Sequence, residues 1–134
     1  MPSIVIVEGI GPAYQEKLNA IGIFTTEDYI KRCATKKGRV AVAEESGISE
    51  KLILTWANHI DLFRIKGVRE QFAELLEAAG VDTVVELAQR NPENLYEKLK
   101  ETNAEKRLVR RLPGPKQVED WIAQAAKLPR LLEY

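Results

Sequence analysis

The residues with the clearest chemical potential in this 134-residue chain form a glycine-centred turn near its start, Gly9-Ile10-Gly11-Pro12. Glycine accepts the positive φ angles of a tight turn, and proline suits the first turn of a helix. Such a turn leaves backbone N–H groups at a helix N-terminus, where they and the helix dipole favour an anion. The pattern predicts phosphate binding, with Gly9 and Gly11 permitting close approach and Ile10 anchoring the turn in the core.

Basic residues fall into two clusters that could add to phosphate binding. The first places five positive charges in nine residues with no acid among them: Lys31, Arg32, Lys36, Lys37 and Arg39. The second contains Lys106, Arg107, Arg110, Arg111 and Lys116. On a helix, positions 107, 110 and 111 would share one face. Each cluster fits the electrostatic footprint of a nucleic-acid site, and the alternative is a solvated charged face.

Catalytic and metal chemistry find little support in the residue types. Cys33 is the single cysteine and His59 the single histidine, so the ligand spacings of a zinc site are absent. The chain has no phosphate-binding Walker loop, no dinucleotide fingerprint and no serine elbow. Cys33 and His59 alone are a weak signal for a nucleophile and its base. We therefore expect no enzyme activity, no cofactor and no metal.

The elements that position these residues come as an internal repeat with an offset of 58. Gly9 aligns with Gly67, Tyr14 with Phe72, Leu18 with Leu76, Gly22 with Gly80 and Thr25 with Thr83. Both copies end on a helix with a tryptophan, Trp56 and Trp121. Trp56 follows Ile23 by 33 residues and Trp121 follows Val81 by 40, which predicts a seven-residue insertion in the second copy. We place it at 112–115, where two prolines flank a glycine.

The predicted fold class is all-α. Tyr14, Leu18 and Ile21 form one apolar helical stripe, and Gly22 should end that helix. Further helices are predicted to begin at 25–26, 49–50, 82–83 and 92–93, where capping residues or proline precede apolar runs. The repeats are assigned to residues 1–63 and 64–134, as two helical subdomains packed into one compact unit. A short extended segment at 4–7 is the one departure from helix.

The second turn, Gly67-Val68-Arg69, departs from the first. Arg69 replaces the second glycine, and Glu70 replaces the proline. Arg69 could reach a phosphate directly, although Glu70 and Glu74 place negative charge nearby. We predict a phosphate-competent first turn, whereas the second turn could contribute Arg69 or only hold the fold together; in the alternative, both turns merely connect packed helices.

The segment Val7–Leu18 resembles the helix-hairpin-helix elements of DNA repair proteins, polymerases and some ribosomal proteins. Its tandem arrangement, with 103–108 leading to 117–122, is similar to a bacterial family of unknown function built from paired helix-hairpin-helix (SAM-like) repeats. This similarity covers nearly the whole chain. The resemblance implies two helix-hairpin-helix subdomains that hold a nucleic-acid backbone without reading its sequence, and the family itself implies no established activity.

Charge and hydropathy limit where and how the chain could act. Twenty basic and twenty acidic residues give zero formal net charge, so nucleic acid would have to be bound by local patches. No apolar stretch exceeds Ile4–Val7, no signal peptide is recognisable, and the single cysteine cannot form an internal disulfide. We expect a cytoplasmic protein without a membrane or small-molecule partner.

The predicted function is that of a non-catalytic module for DNA or another nucleic acid. The alternative is a protein-interaction or scaffolding module, in which the apolar C-terminal residues 131–134 contact a partner. The candidate nucleic-acid-binding residues are Gly9, Ile10, Gly11, Lys17, Lys36, Lys37, Arg39, Gly67, Arg69, Arg107, Arg110 and Arg111.

Overall fold

A computed structural model describes residues 3–133 and confirms the all-α class. Over this range a short 3-10 helix, Ile4–Ile6, precedes eight α-helices. They are α1 Pro12–Asn19, α2 Thr26–Cys33, α3 Lys36–Ser46, α4 Glu50–Leu62, α5 Glu70–Ala78, α6 Val84–Ala88, α7 Pro92–Lys106 and α8 Pro115–Lys127. Among the described residues, no helix is long and apolar enough to cross a bilayer.

The extended segment predicted at 4–7 is wrong, because residues Ile4–Ile6 wind into a 3-10 helix. The Ser3 hydroxyl accepts a hydrogen bond from the Val5 N–H at 3.3 Å and caps this turn. A three-residue turn puts Ile4 and Val7 on one buried side and leaves Val5 exposed. Ser3 and Val7, on either side of this turn, are extended, and Ser3 forms an isolated bridge with Thr25.

The chain divides into two compact units. The first runs to Asp61 and also takes in the residues from Leu131 onward, whereas the second is Leu62–Arg130. The sequence had suggested a boundary between 63 and 64, with the C-terminal residues in the second repeat. In the first unit, the Glu133 N–H donates to the Ala34 carbonyl at 2.8 Å, and Leu132 is buried. Part of the segment predicted to contact a partner is therefore built into the first unit, whereas Leu131 is 41% exposed; Tyr134 lies outside the described residues.

Each unit has its own apolar core with one tryptophan. In the first unit Trp56 and Tyr29 are fully buried, and the Tyr29 hydroxyl donates to the Ile53 carbonyl on α4. In the second unit Trp121 belongs to one buried cluster with Leu76 and residues of α6 and α7. Both tryptophans are about as buried as a side chain can be, which makes them core anchors and not platforms for stacking bases.

The 58-residue repeat is visible in the local geometry of both units. After α1, the Ile23 N–H donates to the Leu18 carbonyl at 3.0 Å, and the matching bond after α5 measures 2.8 Å. Thr25 then caps α2 and Thr83 caps α6, each through its hydroxyl oxygen. The Asp28 carboxylate also accepts the N–H groups of Phe24 and Thr25, which lowers its pKa. The same turn chemistry therefore starts the same helix in both copies.

The predicted insertion is divided between a helix and a loop. Helix α7 has 15 residues, whereas its counterpart α3 has 11. The connection from α7 to α8 covers eight residues, 107–114, whereas that from α3 to α4 covers three, 47–49. The Pro-Gly-Pro turn lies at the end of the longer connection. The connection before the last helix is consequently longer in the second unit than in the first.

Candidate nucleic-acid interface

The two glycine turns share one requirement for glycine. Gly9 and Gly67 both have φ of 96°, in the left-handed region that side chains disfavour. A Cβ built on Gly9 would lie 3.3 Å from Trp56 Nε1, and one on Gly67 would lie 3.1 Å from Trp121 Nε1. Each turn therefore lies against the tryptophan of its own copy, and the N–H of the following residue closes it with a 3.1 Å bond.

The position that differs between the turns needs no glycine. Gly11 and Arg69 are both extended, with φ of −86° and −111° and the same ψ of −176°. A Cβ built on Gly11 would meet nothing within 4 Å. Arg69 therefore leaves the backbone of the second turn unchanged. The expectation that this substitution weakens the second turn has no basis in its backbone conformation.

Helices α1 and α5, which follow the glycine turns, begin without a side-chain cap. In the described part of the chain, α8 shares this feature, whereas side-chain oxygens cap the other helices. The capping residues are Thr25, Thr35, Ser49, Thr83 and Asn91. An uncapped first turn leaves its N–H groups for solvent or a ligand. Both copies therefore keep an open helix N-terminus directly after the turn.

The first basic cluster is dispersed by the fold. Arg39 is buried, and its guanidinium donates to the carbonyl oxygens of Cys33, Ala34 and Glu133 at 3.0, 3.2 and 2.6 Å. The prediction that Arg39 binds nucleic acid is therefore wrong, because its charge is committed to buried backbone. Lys31 pairs with Glu27 at 3.3 Å, and Arg32 pairs with Glu45 at 2.8 Å.

Lys36 and Lys37 remain exposed at the start of α3. Lys36 lines a shallow depression together with Arg39, Glu50, Lys51 and Leu54. Trp56, against which Gly9 lies, is two residues beyond Leu54 and thus about 200° around the same helix. Lys36 and the first turn therefore adjoin different faces of α4.

The three arginines of the second basic cluster lie outside the helices, whereas Lys116 lies in the first turn of α8. Helix α7 ends at Lys106, and Arg107 takes a left-handed conformation with φ of 51°. The expected helical face of 107, 110 and 111 is therefore wrong. The loop nevertheless brings Arg107, Arg110 and Arg111 to one depression of about 590 Å³, which we call the arginine pocket. Its other lining residues are Gln71, Phe72, Asn103, Leu108 and Val109.

The arginine pocket places the second basic cluster beside the second glycine turn. Gln71 and Phe72 belong to the first turn of α5, whose N-terminus is uncapped. Phe72 also packs on Trp121, with ring centroids 5.3 Å apart, and Trp121 lies against Gly67. The open helix N-terminus and the arginines therefore belong to one region of the second unit. The sequence had instead favoured the first turn as the phosphate-binding one.

Charge in the arginine pocket is of one sign. No carboxylate lines it, and among residues 3–133 its three arginines form no ion pair. Another depression of the second unit has the opposite character, since Glu93, Glu97 and Glu119 line it. An unpaired cluster of guanidinium groups is suited to phosphate, which it can bind with several charge-assisted hydrogen bonds.

Comparison with known proteins places the chain in a family. A family model described as Domain of unknown function (DUF4332) matches residues 8–128. The chain belongs to this family. No curated protein and no solved structure matches it. The matched segment begins just before the first glycine turn and ends just after α8, so both copies and the arginine pocket lie within the family's domain.

The remaining candidate residues, Ile10 and Lys17, lie in or next to α1. Ile10 is buried, as expected for the anchor of the first turn. Lys17 is exposed, and its ammonium lies 5.9 Å from the centroid of the Tyr14 ring. Tyr14 in turn packs edge-on against Trp56 at 5.1 Å. Lys17 is thus the one predicted lysine tied by a contact to the aromatic pair behind the first turn.

The environment of Cys33 is that of a core residue. Its side chain is buried, and burial raises the pKa of the thiol to about 11. A nucleophilic cysteine needs the opposite shift, since the thiolate is the reactive form. His59 is also buried, on α4. Among the described residues, no group of three or more His, Cys, Asp or Glu side chains could hold a metal ion.

Proposed function

We propose that this protein is a non-catalytic module that binds the phosphates of DNA or another nucleic acid without reading the base sequence. The observation that carries the proposal is the open N-terminus of α1 and of α5, each placed directly after a glycine turn. Backbone N–H groups in this position, aligned with the helix dipole, favour an anion. Because phosphates are the same at every nucleotide, contacts of this kind carry no sequence information.

The order of elements supports the resemblance to helix-hairpin-helix proteins most directly in the second copy. There the glycine turn lies between two α-helices, α4 and α5. The first turn is entered from the short 3-10 helix Ile4–Ile6. We therefore assign a phosphate-binding role to both turns and the larger share to the second, because the arginine pocket adjoins it.

Local charge explains how a chain of zero net charge could bind a polyanion. Phosphate binding by the arginines would release counterions, so affinity should fall as salt concentration rises. If two or three phosphates are neutralised, a rise of about fourfold in salt should weaken binding by about 10- to 40-fold. The absence of base-sequence preference distinguishes the proposed function from sequence-specific recognition, whose affinity also falls with salt.

A pair of capping variants tests the proposal. Gly11→Asp and Arg69→Asp each place a carboxylate where it can cap the open helix and repel a phosphate. Replacing glycine at this position changes stability by only a few tenths of a kcal/mol. We expect each variant to weaken duplex binding by about tenfold, a loss typical of one or two contacts. Fluorescence anisotropy at low and high salt measures the affinity.

The matched control is Ser49→Asp. Ser49 already caps α4, with its hydroxyl oxygen 3.3 Å from the Leu52 nitrogen, so an aspartate there adds one negative charge, as Gly11→Asp does, without closing an open helix end. Arg69→Asp changes the charge by two, because it also removes a guanidinium group. Its affinity should stay close to that of the unmodified protein. Absence of duplex binding by the unmodified protein at low salt would refute the proposal. Full binding by the variant carrying both Gly11→Asp and Arg69→Asp would show that the turns are not the site.

One observation favours a protein-interaction module as the second candidate. Phe24 and Val5 are 55% and 46% exposed, and the Ile4 N–H donates to the Phe24 carbonyl at 3.2 Å, which brings the two apolar side chains to the same region. Under this alternative, a protein complex would survive high salt and be lost in Phe24→Ser, and the capping variants would leave it intact.

A further inference from the structure

We infer that the arginine pocket binds the phosphorylated end of a nucleic-acid strand. This inference rests on the proposed function and deepens it, because it names the part of the nucleic acid that the second unit recognises. Arg107, Arg110 and Arg111 line the pocket, and no acidic residue does. An internal phosphodiester carries one negative charge, whereas a phosphomonoester carries about 1.5 to 2 near neutral pH. The terminal phosphate is the better match for this cluster.

The loop that holds the arginines is fixed to α7 before any ligand binds. Asn103, at the end of α7, donates its side-chain amide to the Val109 carbonyl at 3.0 Å and accepts the Val109 N–H at 3.0 Å. Val109 is also buried. A loop tied on both sides of its central residue presents Arg107 and Arg110 in a defined place, which lowers the ordering cost of binding.

Backbone strain at Arg107 also points to a ligand in the arginine pocket. Among the described residues, it is the one non-glycine residue with positive φ, at 51°. The first copy ends the corresponding helix α3 with Gly47, which takes the same left-handed conformation at 75°. An arginine at a position where glycine fits without strain indicates that its side chain has a use, since such strain is concentrated at binding sites.

The walls of the arginine pocket also suit the end of a strand. Phe72, Leu108 and Val109 give it an apolar side, and Phe72 is held by its packing on Trp121. Bases stack favourably on aromatic side chains. An internal base in a strand is covered on both faces by its neighbours, whereas the last base has one open face. A strand end therefore offers the pocket both a doubly charged phosphate and an apolar surface, side by side.

The test compares strand ends. A short, internally labelled single-stranded DNA is prepared with a 5′-phosphate, with a 3′-phosphate, with hydroxyls at both ends, and as a covalently closed circle. Anisotropy titrations with the full chain measure the affinity for each. We expect one phosphorylated end to bind about tenfold or more tightly than the hydroxyl form and the circle, as charge-assisted hydrogen bonds to one extra charge imply.

Two double variants separate the arginine pocket from general charge. Arg110→Gln with Arg111→Gln should remove the preference for the phosphorylated end. Lys98→Gln with Arg130→Gln removes the same charge from exposed positions of the second unit outside the pocket and should retain the preference. Circular dichroism checks that both variants keep the helical content. Equal loss of preference in both pairs would overturn the inference.

The same titrations distinguish this inference from the proposed function. Equal binding of the circle and the phosphorylated strand would overturn the end-binding inference and leave backbone binding in place. Binding of the phosphorylated strand without binding of the circle would support the inference and refute backbone binding through the turns. Binding of none of the DNA forms would overturn both.

Discussion

The two glycine turns have the same backbone and different surroundings. Gly9 and Gly67 share a φ of 96°, and each is followed by an uncapped helix. Near the first turn, Lys36 of the first basic cluster adjoins Leu54, about 200° around α4 from the tryptophan that the turn contacts. Beside the second turn, a loop of eight residues supplies three arginines. The local pattern of a turn thus says little about its function when the charge that completes the site comes from elsewhere in the chain.

The difference in charge beside the two turns comes from the connection before the last helix of each repeat. Helix α3 leads to α4 through three residues, 47–49, whereas α7 leads to α8 through 107–114. The extra length is what carries Arg110 and Arg111 toward the first turn of α5. The first copy has no such loop, and its two exposed lysines adjoin α4 instead. The asymmetry between the copies is therefore a matter of an insertion, and the substitution of Arg69 for glycine is secondary to it.

The largest effect is expected from Gly38→Ala, which tests how differently the two units pack their second and third helices. A Cβ on Gly38 would lie 2.0 Å from the Arg32 carbonyl oxygen, so the backbones of α2 and α3 must move apart. We expect a loss of about 3 kcal/mol of unfolding free energy, the upper range for overpacking. Urea denaturation measures the loss, and hydrogen exchange shows whether it is confined to the first unit.

The matched control for Gly38 is Asn94, the third residue of α7 as Gly38 is the third of α3. Asn94 is exposed, and Asn94→Ala should change stability by no more than about 0.5 kcal/mol. If Gly38→Ala proves equally mild, the close approach of α2 and α3 does not limit the stability of the first unit.

The next effect tests whether the glycine turns are equivalent. Gly9→Ala and Gly67→Ala each force a side chain into the left-handed region and toward a tryptophan nitrogen. We expect each to cost about 1–2 kcal/mol, with Gly67→Ala the more costly because its contact is closer. Gly11→Ala, at an extended position with open space around it, serves as the control and should cost much less. Denaturation curves of the three variants measure the loss of unfolding free energy. If Gly67→Ala causes no such loss, the two glycine turns are not equivalent.

Much of the fold was predictable because it depends on local signals. Thr25 and Thr83 were recognised as helix starts from their hydroxyls, and both hydroxyl oxygens do cap their helices. The glycines at the start of each copy marked the turns, and their spacing revealed the repeat. The short segment at 4–7 was misassigned, because a run of β-branched residues favours a strand, whereas Ser3 and the burial of Ile4 favour a 3-10 turn.

The candidate site was less predictable because it depends on distant contacts. Arg39 belongs to a basic run typical of a surface, but one of its hydrogen bonds reaches Glu133, which is 94 positions away. The arginine pocket joins α5 to a loop more than thirty residues further along the chain. The one local feature that could have indicated the pocket was the end of α7, where the arginine loop begins. The sequence did not reveal this helix end, because Arg107 occupies a left-handed position that is usually taken by glycine.

The smallest effect, and the most informative about the arginine pocket, is expected from Arg107→Gly. Relief of the left-handed conformation gains about 1–2 kcal/mol, and the greater freedom of glycine in the unfolded chain offsets about 0.5–1 of it. We therefore predict a net gain in stability of about 0.5–1 kcal/mol, measured by urea denaturation, together with weaker binding of a phosphorylated DNA end. The reciprocal change, Gly47→Ala, should destabilise the first unit by a similar or larger amount without affecting that binding. If Arg107 had only a structural role, Arg107→Gly would raise stability without weakening the binding of a phosphorylated DNA end. A variant that is more stable and binds this end equally well would therefore show that the strain at Arg107 serves no ligand.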